Sequence, residues 1–269
     1  MLRRWTFLGA FAWLSIYAAG CGTLENGRGW GQDAIYPVDL SRLPRAAKKA
    51  LFDPITYVPA AAALIFAIDD FDERVSDWAV RHNPVFGSES RASDASDYLR
   101  GALIAEAFAT AVIAPSGDEP AEWASAKAKG IGVEALALGG SWLATNGLKV
   151  ATDRTRPDRS DDRSFPSGHA TSAFSAAALA SRNLDSIQMK NGWRTALTAT
   201  NIALASSVAW ARVEGQRHFP SDVLAGAVLG NFLTVVIHDS FIGLRENGNL
   251  SLYIEPAKDG GKVIVSWSF

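Results

Sequence analysis

From Ile55 to Phe241 the chain runs as a series of apolar stretches in which Ala and Gly dominate over Leu and Ile. Turns rich in Pro, Gly and Asp separate them. Ile55–Ile68, Gly168–Ala180 and Val223–Ile237 are each shorter than the roughly 20 residues a bilayer crossing needs. Other stretches carry Glu106, Glu134, Asn201 or Asn231. The pattern predicts buried helices of one compact all-α bundle of about six or more helices, able to rest against a membrane, with a multi-pass protein of short tilted helices as the rival reading. Helices are expected near 45–52, 55–68, 74–84, 98–114, 121–148 (with a break at Gly139-Gly140), 168–180, 193–212 and 220–241. Loops are expected at 87–94, 153–164 and 181–192. At the C-terminus the pattern changes to period two. Leu250, Leu252 and Ile254 alternate, as do Val263, Val265 and Trp267, around Asp259-Gly260-Gly261. That predicts a small C-terminal β-hairpin within 246–269, packed on the helical body.

The N-terminus has the layout of an export signal: Arg3-Arg4, an apolar run from Trp5 to Ala19, and small residues before Cys21, the chain's one cysteine. It resembles the bacterial lipoprotein signal, in which the cysteine is lipidated. The expected organisation is a signal peptide over 1–20 and a tether with a lead-in helix over 21–50. A helical domain over 51–245 and the hairpin extension over 246–269 follow. The corresponding location is the bacterial cell envelope. There the chain would be held by a lipid on Cys21 with its working face toward the periplasm, and Gly22 rather than Asp favours the outer membrane. A net charge of -2 lacks the basic excess of a nucleic-acid binder.

Three polar clusters interrupt the apolar body between Lys149 and Asp222. Lys149 and Arg156 flank a turn closed by Pro157, and supply a point charge and a planar fork for oxyanions. Arg154, Arg159 and Arg163 share that loop with Asp153, Asp158, Asp161 and Asp162, and are expected to form ion pairs within it. In the second cluster, Pro166-Ser167-Gly168-His169 opens a helix. Ser167 suits the N-cap, Gly168 allows close backbone approach, and the free N–H groups of the first turn attract an anion. His169 at that mouth is suited to protonate a leaving oxygen. In the third, Arg212 precedes His218, and Asp222 stands in the first turn of a helix begun by Pro220. Asp222 can fix the tautomer of His218 and leave its other nitrogen to attack. A His–Asp pair also suits a metal, but no further ligand stands at the right spacing, so neither metal nor cofactor is expected.

The order Lys149-x6-Arg156-Pro157, Pro166-Ser167-Gly168-His169, Arg212-x5-His218-x3-Asp222 is similar to the three signature motifs of the type 2 phosphatidic acid phosphatase superfamily. That superfamily includes bacterial class A acid phosphatases and vanadium haloperoxidases. Ala211 departs from the pattern, which usually has Ser there, and removes one hydroxyl but no charge. The resemblance implies that Lys149, Arg156, Arg212, Ser167 and Gly168 bind the phosphoryl oxygens. It implies that His218 becomes a phosphohistidine with Asp222 orienting it, and that His169 protonates the leaving group and then activates water. The implied function is a metal-independent phosphatase acting on a phosphomonoester or diphosphate, with a phosphorylated lipid or a small phosphoester as substrate. A vanadate-dependent haloperoxidase and a non-catalytic envelope lipoprotein are the alternatives.

Overall fold

The computed structural model describes residues 20–24, 27–34, 40–66 and 68–242, and the backbone alone of 250–257 and 260–267. Among the described residues eight helices make up the body: α1 (Leu43–Leu51), α2 (Pro54–Phe66), α3 (Phe71–His82), α4 (Glu89–Ile113), α5 (Pro120–Thr152), α6 (Gly168–Ser186), α7 (Asn191–Glu214) and α8 (Pro220–Phe241). The signal-peptide residues 1–19 lie outside the described residues. The expected β-hairpin does not enter the described fold. Leu250–Ala257 and Gly260–Trp267 lie antiparallel to each other, but their side chains and the residues linking them to α8 are outside the described residues.

Helix α6 is the axis of the bundle. Fourteen of its nineteen residues are buried, because it packs on α8, α7, α4 and α5 at once. An Ala-rich sequence (Ala176-Ala177-Ala178-Leu179-Ala180) makes this possible, since small side chains on every face let four neighbours approach. Helix α8 comes closest. A Cβ at Gly226 would lie 2.6 Å from Ser167 O, and one at Gly230 would lie 2.3 Å from Thr171 O. These two glycines therefore set the α6–α8 spacing, and with it the spacing between two of the three polar clusters.

Substituting Gly230 with Ala is expected to lower stability by about 1–3 kcal/mol through overpacking. The same change at Gly147 of α5, where a Cβ meets nothing within 4 Å, is expected to be neutral or to stabilise by up to about 1 kcal/mol. Thermal denaturation of the two variants side by side checks both signs.

Three boundaries differ from expectation. Helix α4 begins at Glu89, so the Ser-, Glu- and Asp-rich run at 87–94 is mostly helix start rather than loop. Ser88 caps it by accepting from Arg91 N at 3.3 Å, and Glu89 sits where the helix dipole favours an anion. Helix α5 runs through Gly139-Gly140 unbroken. There a Cβ at Gly140 would lie 3.1 Å from Ile237 Cδ1 of α8, so that glycine serves packing. Helix α6 continues to Ser186, past the expected end at Ala180.

The described residues between Cys21 and Leu43 carry no helix, yet they are docked and do not form the expected free tether. Trp30 is buried on α5, with its ring where a Cβ at Gly130 would stand. The Lys127 ammonium lies 5.1 Å from that ring and donates to the carbonyls of Ala111 and Ala114 at the end of α4. Gly20 O accepts from Trp123 Nε1 at 3.0 Å, and Gly22 pairs with Gly117.

Large apolar side chains stand exposed along the outer faces of α2 (Leu64, Ile65), α4 (Tyr98, Phe108) and α5 (Trp142, Leu143). Among the described residues one single helix, α8, is long and apolar enough to cross a membrane. More than half of its most apolar window is buried within the bundle.

Candidate active site

The three polar clusters meet at one end of the bundle. Lys149 closes the last turn of α5. Arg156 stands in the loop that follows, Ser167 to His169 open α6, Arg212 ends α7, and His218 and Asp222 open α8. Every one of the sequence-predicted residues between Lys149 and Asp222 falls in this group. The loop is folded back by Ser164 N donating to Arg154 O and by Arg156 N donating to Asp161 O. Asp153, the C-cap of α5, adopts the left-handed conformation (φ 45°) that turns the chain there.

His218 is almost fully buried. Its Nε2 lies 3.3 Å from Arg156 Nη1, and its Nδ1 lies 3.7 Å from Asp222 Oδ2. The ring is thus oriented with Nε2 toward the cations and Nδ1 toward the carboxylate. Burial pushes its pKa down to about 4, against the opposing pull of Asp222. At neutral pH the ring is therefore uncharged, and Nε2 keeps the lone pair a nucleophile needs.

Asp222 itself is fully buried and held on three sides. Oδ1 accepts from Arg154 Nη1 at 2.7 Å, and Oδ2 accepts from Ser164 Oγ and, at 2.9 Å, from Phe219 N. The last bond is also the N-terminal cap of α8, so one carboxylate starts the helix and aims the histidine. Burial would raise its pKa, but His218, Arg154 and Ser164 outweigh that and hold it low.

Sequence reasoning assigned Arg154 to ion pairs inside its own loop. The structure places it differently. Besides Asp222, Arg154 donates to Asp72 Oδ2 of α3 at 2.8 Å and to Ser221 Oγ at 2.8 Å, and it stacks 4.3 Å from the Phe219 ring. Asp72 in turn accepts from Ser221 N. Arg154, Asp72 and Ser164 therefore form a support behind the His218–Asp222 pair. Only the abundance of unassigned charges near Arg156 hinted at it. Of the loop carboxylates, Asp161 pairs with Arg156, a residue expected to bind phosphoryl oxygens rather than to form a loop pair, and Asp158 pairs with Arg217 beyond the loop.

The cations crowd one another. Arg212 is buried, donates from Nη1 to Ser96 Oγ of α4 at 3.1 Å, and has no partner at Nε. Burial, then Arg156, pushes its pKa down to about 10. Burial and Arg156 likewise push Lys149 down to about 8. Like charges held this close in a partly desolvated site are a receptor for a multiply charged anion. Ser167 caps α6, accepting from Ala170 N, and Gly168 opens it, which leaves the first N–H groups of that helix for anion oxygens. His169 is partly buried, and its Nε2 lies 2.8 Å from Asp97 Oδ1 of α4. Among the described residues no three His, Cys, Asp or Glu side chains converge to hold a metal ion.

Lys149 sets a pH dependence. Its pKa is lowered, so its positive charge is present below about pH 8 and lost as pH rises through that value. Phosphate-ester kcat/KM is expected to fall up to roughly tenfold between about pH 7.5 and 9.5. The fall should be absent in Lys149→Arg, whose guanidinium stays charged. A pH profile of both proteins measures this.

Cys21, the predicted lipid attachment point, is exposed at the opposite end of the bundle. It is pinned through its neighbours near Trp123, close to the start of α5, whereas Lys149 is in that helix's last turn. At about 1.5 Å per residue the two lie roughly 39 Å apart along α5.

Comparison with known proteins agrees with the geometry. Residues 133–244, which contain every motif residue from Lys149 to Asp222, match the PAP2 superfamily. Over 85 residues the chain is 35% identical to a lipid A 1-phosphatase of Porphyromonas gingivalis, a match covering 32% of this chain and 18% of that protein. The chain thus spans less than a fifth of the length of that curated relative. No solved structure matches the chain significantly. The three motifs, brought together at one end of the bundle, all lie within the region of the chain that is similar to the type 2 phosphatidic acid phosphatase (PAP2) superfamily.

Proposed function

We propose that the chain is a phosphatase that removes a phosphoryl group from a phosphorylated lipid through a phosphohistidine on His218. The observation that carries this reading is the orientation of a buried, neutral His218 between Asp222 at Nδ1 and Arg156 at Nε2. In the first step the Nε2 lone pair attacks phosphorus and the bond from phosphorus to the ester oxygen breaks. The leaving oxygen takes its proton from His169. Lys149, Arg156 and Arg212 hold the three equatorial oxygens, with Ser167 and the Gly168 N–H beside them. In the second step a water oxygen attacks phosphorus while His169 takes a water proton. The P–N bond breaks and its electron pair returns to His218. Positioning and charge neutralisation are the main needs of phosphoryl transfer, and three cations with a helix N-terminus supply them. No metal enters either step, so activity should survive EDTA.

A lipid substrate is supported by the name of the Porphyromonas gingivalis relative and by the apolar flanks of α2, α4 and α5 beside the site. We place the protein in the cell envelope with its site toward the periplasm and Cys21 lipidated. A separation of roughly 39 Å along α5 means that such an anchor would tether the far end of the bundle, and the apolar flanks would then bring the site to the lipid. Phosphate release from phosphatidate, an isoprenyl diphosphate and lipid A, compared with soluble phosphomonoesters, tests the proposal. Preference for any of the lipids supports it, and turnover of soluble esters alone overturns the lipid assignment.

A further inference from the structure

We propose that Asp97 is a positioning residue for His169, holding its ring in the tautomer with the proton on Nε2 so that Nδ1 is the nitrogen that exchanges a proton with the reacting oxygen. This rests on the phosphatase reading above.

The contact is specific. Asp97 lies on α4, outside the matched family region, and its Oδ1 stands 2.8 Å from His169 Nε2. Its pKa is held below the usual carboxylate range, first by that hydrogen bond, so it is ionised at neutral pH. An ionised carboxylate only accepts, and therefore Nε2 carries the hydrogen and the neutral ring keeps its free lone pair at Nδ1.

The surroundings explain why such a partner is needed. Burial first, and then the Arg212 guanidinium from α7, push the His169 pKa down to about 4, with Arg100 of α4 adding to the effect. Asp97 opposes them. Lys149 on α5 and the His218–Asp222 pair at the start of α8 belong to the other helices packed on α6. A general acid must hold a proton at working pH, and a bare imidazole beside Arg212 would not. Asp97 favours the imidazolium, and a bound phosphoryl dianion offsets Arg212. The ring then gains its second proton at Nδ1 and can give it to the leaving oxygen. Helix α4 is suited to couple these groups, because one turn of it carries Ser96 against Arg212, Asp97 against His169, and Arg100 bonded to Asp97 at 3.1 Å.

The test compares wild type with Asp97→Asn and Asp97→Glu on an alkyl phosphate, whose leaving group needs a proton, and on p-nitrophenyl phosphate, whose leaving group does not. For Asp97→Asn the alkyl ester should lose roughly 10- to 100-fold in kcat with KM changed less than about twofold. The alkaline limb of its kcat profile should move about one pH unit lower. The nitrophenyl ester should lose less than about threefold, and Asp97→Glu should recover most of the alkyl rate. Ring 15N shifts of His169 should report the Nε2–H tautomer in wild type and a mixture in Asp97→Asn.

An unchanged pH profile with equal losses on both esters would overturn the proposal, as would a rise in KM alone, which would place Asp97 with Arg212 in substrate binding. If no ester is turned over, the phosphatase reading fails, and the 15N tautomer still decides the Asp97 assignment on its own.

Discussion

Replacing His218 with Ala is expected to lower phosphate release by roughly 10⁴-fold or more, the scale seen when a covalent nucleophile is removed. No other described side chain takes its place. The ring is buried between Arg156 and Asp222, which orient it. Wild-type enzyme quenched in mid-turnover should carry a phosphoryl group on His218 that is stable to base and labile to acid, detectable by mass spectrometry. His218→Ala should carry none. Full activity in His218→Ala, or phosphate trapped on another residue, would remove the nucleophile assignment. The folded state should survive the change, because Asp222 keeps its bonds to Arg154, Ser164 and Phe219 N.

Replacing His169 with Ala has the second largest expected effect, about 10²- to 10⁴-fold on esters with poor leaving groups. The loss should shrink on p-nitrophenyl phosphate, where the first step needs no acid. On that substrate the second step, in which His169 activates water, should become rate-limiting, so the phosphoenzyme should accumulate. Steady-state rates on the two esters, with the phosphoenzyme measured in parallel, separate the two roles. Equal loss on both esters without accumulation would reduce His169 to a structural role.

The parts of the site that were legible in the sequence are local. Ser167 caps α6, and Pro220 and Asp222 open α8, because capping depends on residues within one turn. Lys149 ends α5 and Arg156 precedes Pro157 for the same reason. The fold class was legible too, since long Ala-rich stretches between Pro and Gly breaks have few other ways to bury themselves. Where composition misled, the cause was a local cap in one case and a tertiary contact in the other. The 87–94 run looked like a loop by composition, but its serines and carboxylates start α4. Gly139-Gly140 looked like a break, but its second glycine is packed against Ile237 of α8.

The sequence by itself determined which residues make up the candidate site, their order along the chain and the helix ends they occupy. Each depends on neighbours a few positions away. Only the tertiary structure decided which distant side chains serve them. Asp97 reaches His169 across 72 positions, Asp72 reaches Ser221 across 149, and Arg154 joins α3 to α8. It also put Cys21 at the far end of the bundle. The reason is physical: Ala- and Gly-rich helices have nearly uniform faces, so their periodicity does not specify which face meets which neighbour. That choice is made by close backbone contacts such as Gly226 on Ser167 and Gly230 on Thr171, and they exist only once α6 and α8 have come together.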